Sequence, residues 1–169
     1  MIYALKQLKL RGYEKMKIAV SSDELYPVND FVVQELKRLG HEVILFGAIK
    51  SRQNEPWAPT AYVAANAIAQ GICDEGIFFC WTGTGTSMVA NKISGIRAAL
   101  CTDEQTAVGA RVWNGANVLV LSNRLLTQDL AKEILRGWFN TALGEHSKKA
   151  IADIKAIETE VATSSPLKS

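Results

Sequence analysis

Apolar residues along the chain recur in two periods that alternate with each other. Short, mostly apolar runs at 18–21, 42–46, 77–80, 97–101 and 118–121 have the length and content of buried strands. Between them the apolar positions fall three and four residues apart, the spacing of a helix with one buried face. Phe31, Val32, Leu36 and Leu39 mark a helix over 28–39 that Gly40 stops, and an Ala-rich helix over 60–70 ends at Gly71. The spacing further predicts a short helix over 87–93 capped by Thr86 or Ser87, and one over 103–113 capped by Thr102 or Asp103. Leu130, Ile134, Leu135 and Trp138 line a helix over 127–140. Past Gly144, Ile151, Ile154 and Ile157 stripe a last one over 147–161. Residues 47–59, with Pro56 and Pro59, read as a loop. Strands that alternate with helices imply an α/β chain: a five-stranded parallel sheet, helices on both faces as a third layer, and a C-terminal helix. That last helix has two possible seats, a second subunit or its own domain.

In such a sheet, ligands bind beyond the carboxyl ends of the strands. Those ends gather Asp23 and Glu24, Cys80 to Thr86, Cys101 to Asp103, and Ser122 to Arg124. The richest stretch is Cys80-Trp81-Thr82-Gly83-Thr84-Gly85-Thr86, where a buried run gives way to a Gly-rich turn and then a helix start. Free N–H groups there suit an anion, and Cys80 sits at the rim where the same field favours a thiolate. The plainer reading stands beside it, because Gly-rich strand-to-helix turns are common and a lone Cys is ordinarily a small buried hydrophobe. The stretch does not match the G-x-x-x-x-G-K-S/T loop and no dinucleotide fingerprint follows the first strand, so both nucleotide readings are weak. His41 precedes the second strand, on the edge away from these ends, and reads as structural or exposed.

Composition narrows the class. A chain of 169 residues, 48% hydrophobic and 21% charged, reads as one globular domain. A formal charge of +2 without a basic stripe argues against nucleic acid, and no apolar run spans a membrane. Cys73, Cys80 and Cys101 are odd in number and lack metal-ligand spacing, which predicts a reduced, cytoplasmic protein without a metal. The N-terminus carries Lys6, Lys9, Arg11 and Lys15 but no apolar core of a signal peptide. The expected division is an extension over 1–16, a domain over 17–162 and a mobile tail over 163–169.

The segments 16–23 (MKIAVSSD), 80–87 (CWTGTGTS), 90–92 (ANK), 95–101 (GIRAALC) and 114–119 (NGANVL) together resemble the ribose-5-phosphate isomerase B / galactose-6-phosphate isomerase family. The similarity runs over roughly 17–158. It implies a Rossmann-like homodimer, or a dimer of dimers, that interconverts aldose and ketose phosphates with neither metal nor cofactor. By that resemblance Cys80 takes the proton beside the carbonyl, and Thr82, Gly83, Thr84 and Gly85 hold the developing enediolate. Asn114 contacts the enediolate, Arg124 contacts phosphate, and Asp23 matches the family's Asp at the end of strand one.

Departures from the family pattern matter equally. Glu24 stands where the family has a phosphate-binding His, Trp81 where it has Gly, and Trp113 where it has the His that opens the sugar ring. The family's C-terminal arginines fall on His146 and Ala150, with Lys148 or Lys149 reached by a shift. Three functions are consistent with this pattern: a sugar-phosphate isomerase with an altered substrate, a non-catalytic sugar-phosphate-binding or regulatory protein, and an enzyme using Cys80 as a covalent nucleophile. An indole cannot shuttle protons at neutral pH. Trp113 therefore favours a substrate that is already open-chain, such as a tetrose phosphate.

Overall fold

Five strands and seven helices alternate along residues 14–164, the part of the chain that the computed structural model describes. They are β1 (Lys17–Ser22), α1 (Pro27–Arg38), β2 (Glu42–Gly47), α2 (Ala48–Ser51), α3 (Trp57–Ala69) and β3 (Glu75–Cys80). There follow α4 (Thr84–Ala90), β4 (Ala98–Leu100), α5 (Glu104–Asn114), β5 (Val118–Ser122), α6 (Gln128–Asn140) and α7 (Glu145–Thr163). All the pairings are parallel, as the alternation of runs and periodic stretches predicts, and the strand order is β2-β1-β3-β5-β4. The chain leaves β1 in one direction to β2 and returns on the other side through β3. The crevice where such sheets bind ligands therefore opens over the carboxyl ends of β1 and β3.

The sheet divides the core because successive strand residues point to opposite faces. Ile18, Val20, Ile77, Phe79, Leu119 and Leu121 pack on one side with α1, α5 and α6. Ala19, Phe78, Val118 and Val120 face the other side, under the small residues Ala64, Ala65 and Ala90 of α3 and α4. Every residue of β3 is buried, which makes it the axis of the sheet.

Several local expectations shift. The loop expected over 47–59 contains the one-turn helix α2, and α3 begins earlier than 60, at Trp57. Pro56 is its N-cap, and Pro59 fits its first turn, where a proline forfeits no helical bond. Neither Thr86 nor Ser87 caps α4. That helix starts at Thr84, with Gly83 as its N-cap in the left-handed region at φ +81°. Asp103 does cap α5, accepting from Thr106 N at 2.7 Å. Of the extension over 1–16 only residues 14–16, and of the tail over 163–169 only Thr163 and Ser164, lie within the described residues. Met16 already belongs to the sheet's edge, its carbonyl accepting from Glu42 N at 2.9 Å.

The last helix sits on its own domain through α5, with Ser147 as its buried residue. Its second half leaves Ile157 and Val161 exposed. The carboxylate of Glu158 accepts from Ser94 Oγ and from Gly95 N at 2.8–3.1 Å, which ties that half to the turn before β4.

Candidate active site

Strands β1, β3 and β5 end side by side, with Ser22 beside Phe79 and Cys80 beside Ser122. Neighbouring strands lie about 4.8 Å apart, so Cys80 is flanked by the turn after β1 and by the turn after β5. The second turn grips the Cys80 peptide. Asn123 N donates to Cys80 O at 2.9 Å, Ser122 Oγ donates to Trp81 O at 2.9 Å, and Arg124 N donates to Trp81 O at 3.2 Å.

Beneath that grip runs a buried polar network. Asn29 Nδ2 donates to Asn123 Oδ1 at 2.8 Å, and Asn123 Nδ2 donates to Ser22 Oγ at 3.3 Å. Asn29 Oδ1 accepts from Tyr26 N at 2.8 Å at the start of α1. A fully satisfied buried network of this kind fixes one arrangement of its neighbours. Here it locks the ends of β1 and β5 and the start of α1 around Cys80. Asn29 and Tyr26 lie outside the stretches that the sequence pattern gathers at the strand ends, and Asn123 falls within 122–124 with no role of its own. The available signals were a polar residue inside the apolar face of the first helix and an Asn directly after the fifth strand.

Cys80 is 9% exposed, against 1% for both Cys73 and Cys101. Burial pushes the Cys73 thiol up and the Cys101 thiol up to about 12, so both stay protonated and inert at neutral pH. Cys80 is the least buried of the three, and it stands at the strand's carboxyl end.

The loop after Cys80 turns at Gly83. Its left-handed backbone at φ +81° favours glycine, and a Cβ there would also displace Leu100 Cδ1, 2.5 Å away. The hydroxyls of Thr82 and Thr84 pair across the turn at 2.7 Å. Ser87 N makes the first bond of α4, to Gly83 O, which leaves the amides of Thr84, Gly85 and Thr86 without helical partners. Trp57, absent from the sequence reading of the site, lies over Gly85, where a Cβ would meet its ring at 2.9 Å.

On the β1 side, Asp23 keeps one buried carboxylate oxygen, Oδ1, without a hydrogen-bond partner among the described residues. Burial holds the Asp23 carboxyl above the usual carboxylate range, reinforced by the charge of Glu24 and opposed by the amides of Asp23 and Glu24. Glu24 Oε2 accepts from Tyr26 Oη at 2.8 Å, and the Tyr26 ring lies 6.0 Å from that of Trp81. On the β5 side Arg124 is exposed, and its guanidinium pairs with no carboxylate among the described residues.

Two predicted site residues are elsewhere. Asn114 ends α5 and Trp113 precedes it, on the edge where β5 begins, whereas Cys80 is level with Ser122 at the edge where β5 ends. The length of β5 separates them, roughly 13 Å for four strand steps. In one chain, therefore, Trp113 and Asn114 do not join Cys80. They line a groove of about 820 Å³ beside the exposed edge of β4, together with Arg97, Leu100, Ile154 and Ile157. The Trp113 ring lies 4.8 Å from that of His146 at the start of α7. His41 is buried and stacks on Phe139 at 4.6 Å, in keeping with a structural role.

Among the described residues no three His, Cys, Asp or Glu side chains group closely enough to hold a metal ion, and no helix is long and apolar enough to cross a membrane. A thiol beside orphaned amides, with hydroxyls, two carboxylates and a guanidinium at the same rim, has the parts for moving a proton on a carbon next to a carbonyl.

Comparison with known proteins gives the family. Residues 18–154 match the family model described as ribose/galactose isomerase. The chain is 35% identical over 126 residues to the D-erythrulose-4-phosphate isomerase of Pectobacterium atrosepticum, covering 74% of this chain and 83% of that protein. It is 36% identical over 145 residues to ribose-5-phosphate isomerase B of Escherichia coli, covering 84% and 96%. The solved structure of ribose-5-phosphate isomerase B from Clostridium thermocellum superposes with a TM-score of 0.77 at 36% identity, over 86% of this chain and 99% of that one.

Proposed function

This chain belongs to the ribose/galactose isomerase family, and from that premise we propose that it isomerises a short, open-chain aldose phosphate to its ketose, with Cys80 as base. The observation that carries the reading is Cys80 itself, the least buried cysteine of the three, held at the end of β3 by Asn123 and followed by the amides of Thr84, Gly85 and Thr86 that lack helical partners. The Cys80 thiolate takes the proton from C2 of the aldose while charge develops on O1, which the loop amides and the Thr82 hydroxyl receive. A proton passes from O2 to O1, and Cys80 returns its proton to C1. Atoms and electrons balance without a co-reactant.

The substrate length follows from Trp113. A tetrose whose O4 carries phosphate cannot close a five-membered ring, so it needs no acid–base group to open it. An indole at that position is then no handicap, and the similarity to a D-erythrulose-4-phosphate isomerase points the same way. Trp113 and Asn114 can act on this substrate if a second copy brings its own α5 corner to Cys80. We accordingly read the protein as a cytoplasmic homodimer with shared sites, in which Asn114 contacts the enediolate and Arg124 holds the phosphate.

The test is a panel of three- to six-carbon aldose and ketose phosphates assayed in deuterated water. Erythrose 4-phosphate or erythrulose 4-phosphate should exceed ribose 5-phosphate in kcat/KM, with deuterium entering the product. Cys80→Ala should lower kcat by roughly 10²–10⁴ without unfolding the protein. Faster turnover of ribose 5-phosphate than of any tetrose phosphate would overturn the substrate assignment. Near-normal turnover by Cys80→Ala would overturn the base. A protein that binds these sugars but exchanges no deuterium would be a binding protein on the same scaffold.

A further inference from the structure

We propose that Glu24, Tyr26 and Trp81 form a hydroxyl-binding subsite that sets which way round the substrate lies, its free hydroxyl toward β1 and its phosphate toward β5. This rests on the isomerase reading above.

The cleft is polarised across Cys80. β3 lies between β1 and β5, so the turn carrying Asp23 and Glu24 stands on one side of the thiol and Arg124 on the other. Two carboxylates side by side repel a phosphate dianion, while an exposed guanidinium with no carboxylate partner among the described residues attracts one. A phosphorylated chain laid over Cys80 is therefore driven to one orientation.

What remains on the β1 side is built to receive hydroxyls. Tyr26 Oη donates its proton to Glu24 Oε2 at 2.8 Å, and that bond pushes the phenol's pKa up, so the donation persists at neutral pH. Its donor is spent, and the phenol oxygen is left as an acceptor. Glu24 Oε1 has no hydrogen-bond partner among the described residues and accepts as well. Two adjacent acceptors match the O–H groups of a sugar, which a phosphate at neutral pH largely lacks. The ring of Tyr26 leans on Trp81 at an interplanar angle of 34°, and the indole is 51% exposed, giving the C–H face of a sugar a flat surface. In a tetrose 4-phosphate the C3 hydroxyl takes no part in the proton transfers at C1 and C2, which makes it the group for this subsite to read.

The experiment compares erythrulose 4-phosphate with its 3-deoxy analogue by calorimetry on the full chain, in wild type, Glu24→Ala, Tyr26→Phe and Arg124→Ala. Wild type should favour the hydroxylated ligand about tenfold, the worth of one hydrogen bond to a charged group. Glu24→Ala should bring that ratio below about twofold, with the conservative Tyr26→Phe in between. Competition by inorganic phosphate should weaken more than about fivefold in Arg124→Ala and change less than about twofold in Glu24→Ala. An unchanged hydroxyl preference in Glu24→Ala would overturn the subsite. Phosphate binding that tightens severalfold in Glu24→Ala would overturn the orientation, since phosphate would then lie against Glu24. Turnover is followed separately by deuterium exchange. Exchange without the hydroxyl coupling refutes the subsite alone, the coupling without exchange refutes the isomerase reading alone, and failure of either ligand to bind refutes both.

Discussion

At the scale of single residues, the side chains that carry charge or a reactive atom were legible and those that hold them were not. Asp23, Glu24, Cys80 and Arg124 stand out because such residues cluster where strands end. The roles of Asn29, Asn123 and Tyr26 are not readable from sequence because they exist only once three distant segments meet: Asn123 is 94 residues from Asn29 and 101 from Ser22. Asp23 shows what such packing does to a functional group. Its pKa is raised in the folded protein, chiefly by burial. The folded state thus binds that proton more tightly than the unfolded chain does. The unfavourable contribution is absent below about pH 4, the unfolded value, grows as pH rises toward the folded pKa, and persists above it. Asp23→Asn should therefore raise Tm by a few degrees at pH 7 while lowering kcat/KM, and the gain in Tm should vanish as pH falls to about 4. Thermal melts at several pH values check this. An equal gain at pH 4 and pH 7, or a loss at pH 7, would show that burial of the charge is not the cause.

At the scale of elements, the pattern located every strand and most helices, and erred where backbone geometry overrides residue preference. Gly83, left-handed, opens α4 three or four residues before the hydroxyl caps that the sequence suggests, Thr86 and Ser87. The β5 side of the sheet depends on an ion pair that no periodicity reveals. Glu75 enters β3 buried, its Oε1 accepting from Arg111 Nη1 at 2.6 Å and its Oε2 from Trp138 Nε1 at 2.8 Å. Arg111 also donates to Ala116 O at 2.7 Å and stacks its guanidinium 4.9 Å from the Trp138 ring centroid. Burial raises the Glu75 pKa, and Arg111 and the Trp138 indole oppose the rise. One contact thus joins β3, the end of α5 and α6. Arg111→Ala strands a buried carboxylate and should cost about 3–5 kcal/mol in denaturant unfolding. Adding Glu75→Gln should recover more than half of that loss, because the stranded charge is gone while Trp138 keeps an acceptor. A loss below about 1 kcal/mol for Arg111→Ala, or a further loss on adding Glu75→Gln, would deny the pair this role.

For the whole molecule, the sheet's own direction decides what one chain can do alone. A helix that follows a strand in a parallel sheet runs back toward the edge where the next strand begins. That rule puts His41, which follows α1, on the edge away from Cys80, and it puts Trp113 and Asn114 there too. The separation of Asn114 from Cys80 was thus implicit in the order of elements, although motif resemblance alone joins them in one site. If two copies exchange these corners, each site combines Cys80 from one chain with Trp113 and Asn114 from the other. The apolar groove beside β4, with Ile157 and Val161 exposed along α7, offers a surface for that exchange. The consequence is measurable because a two-fold dimer segregates the defects of two variants. Cys80→Ala and Asn114→Ala should each be nearly inactive. In a mixed dimer both substitutions fall in one site and the other site is intact. Random reassortment makes half the dimers mixed, each with one good site of two, so about a quarter of wild-type activity should return. Co-expressing the two variants, or dissociating and reassociating them together, and assaying tetrose phosphate turnover provides the measurement. If sedimentation shows dimers yet the mixture is no more active than its parents, Asn114 does not act across the interface and its place in the site is lost.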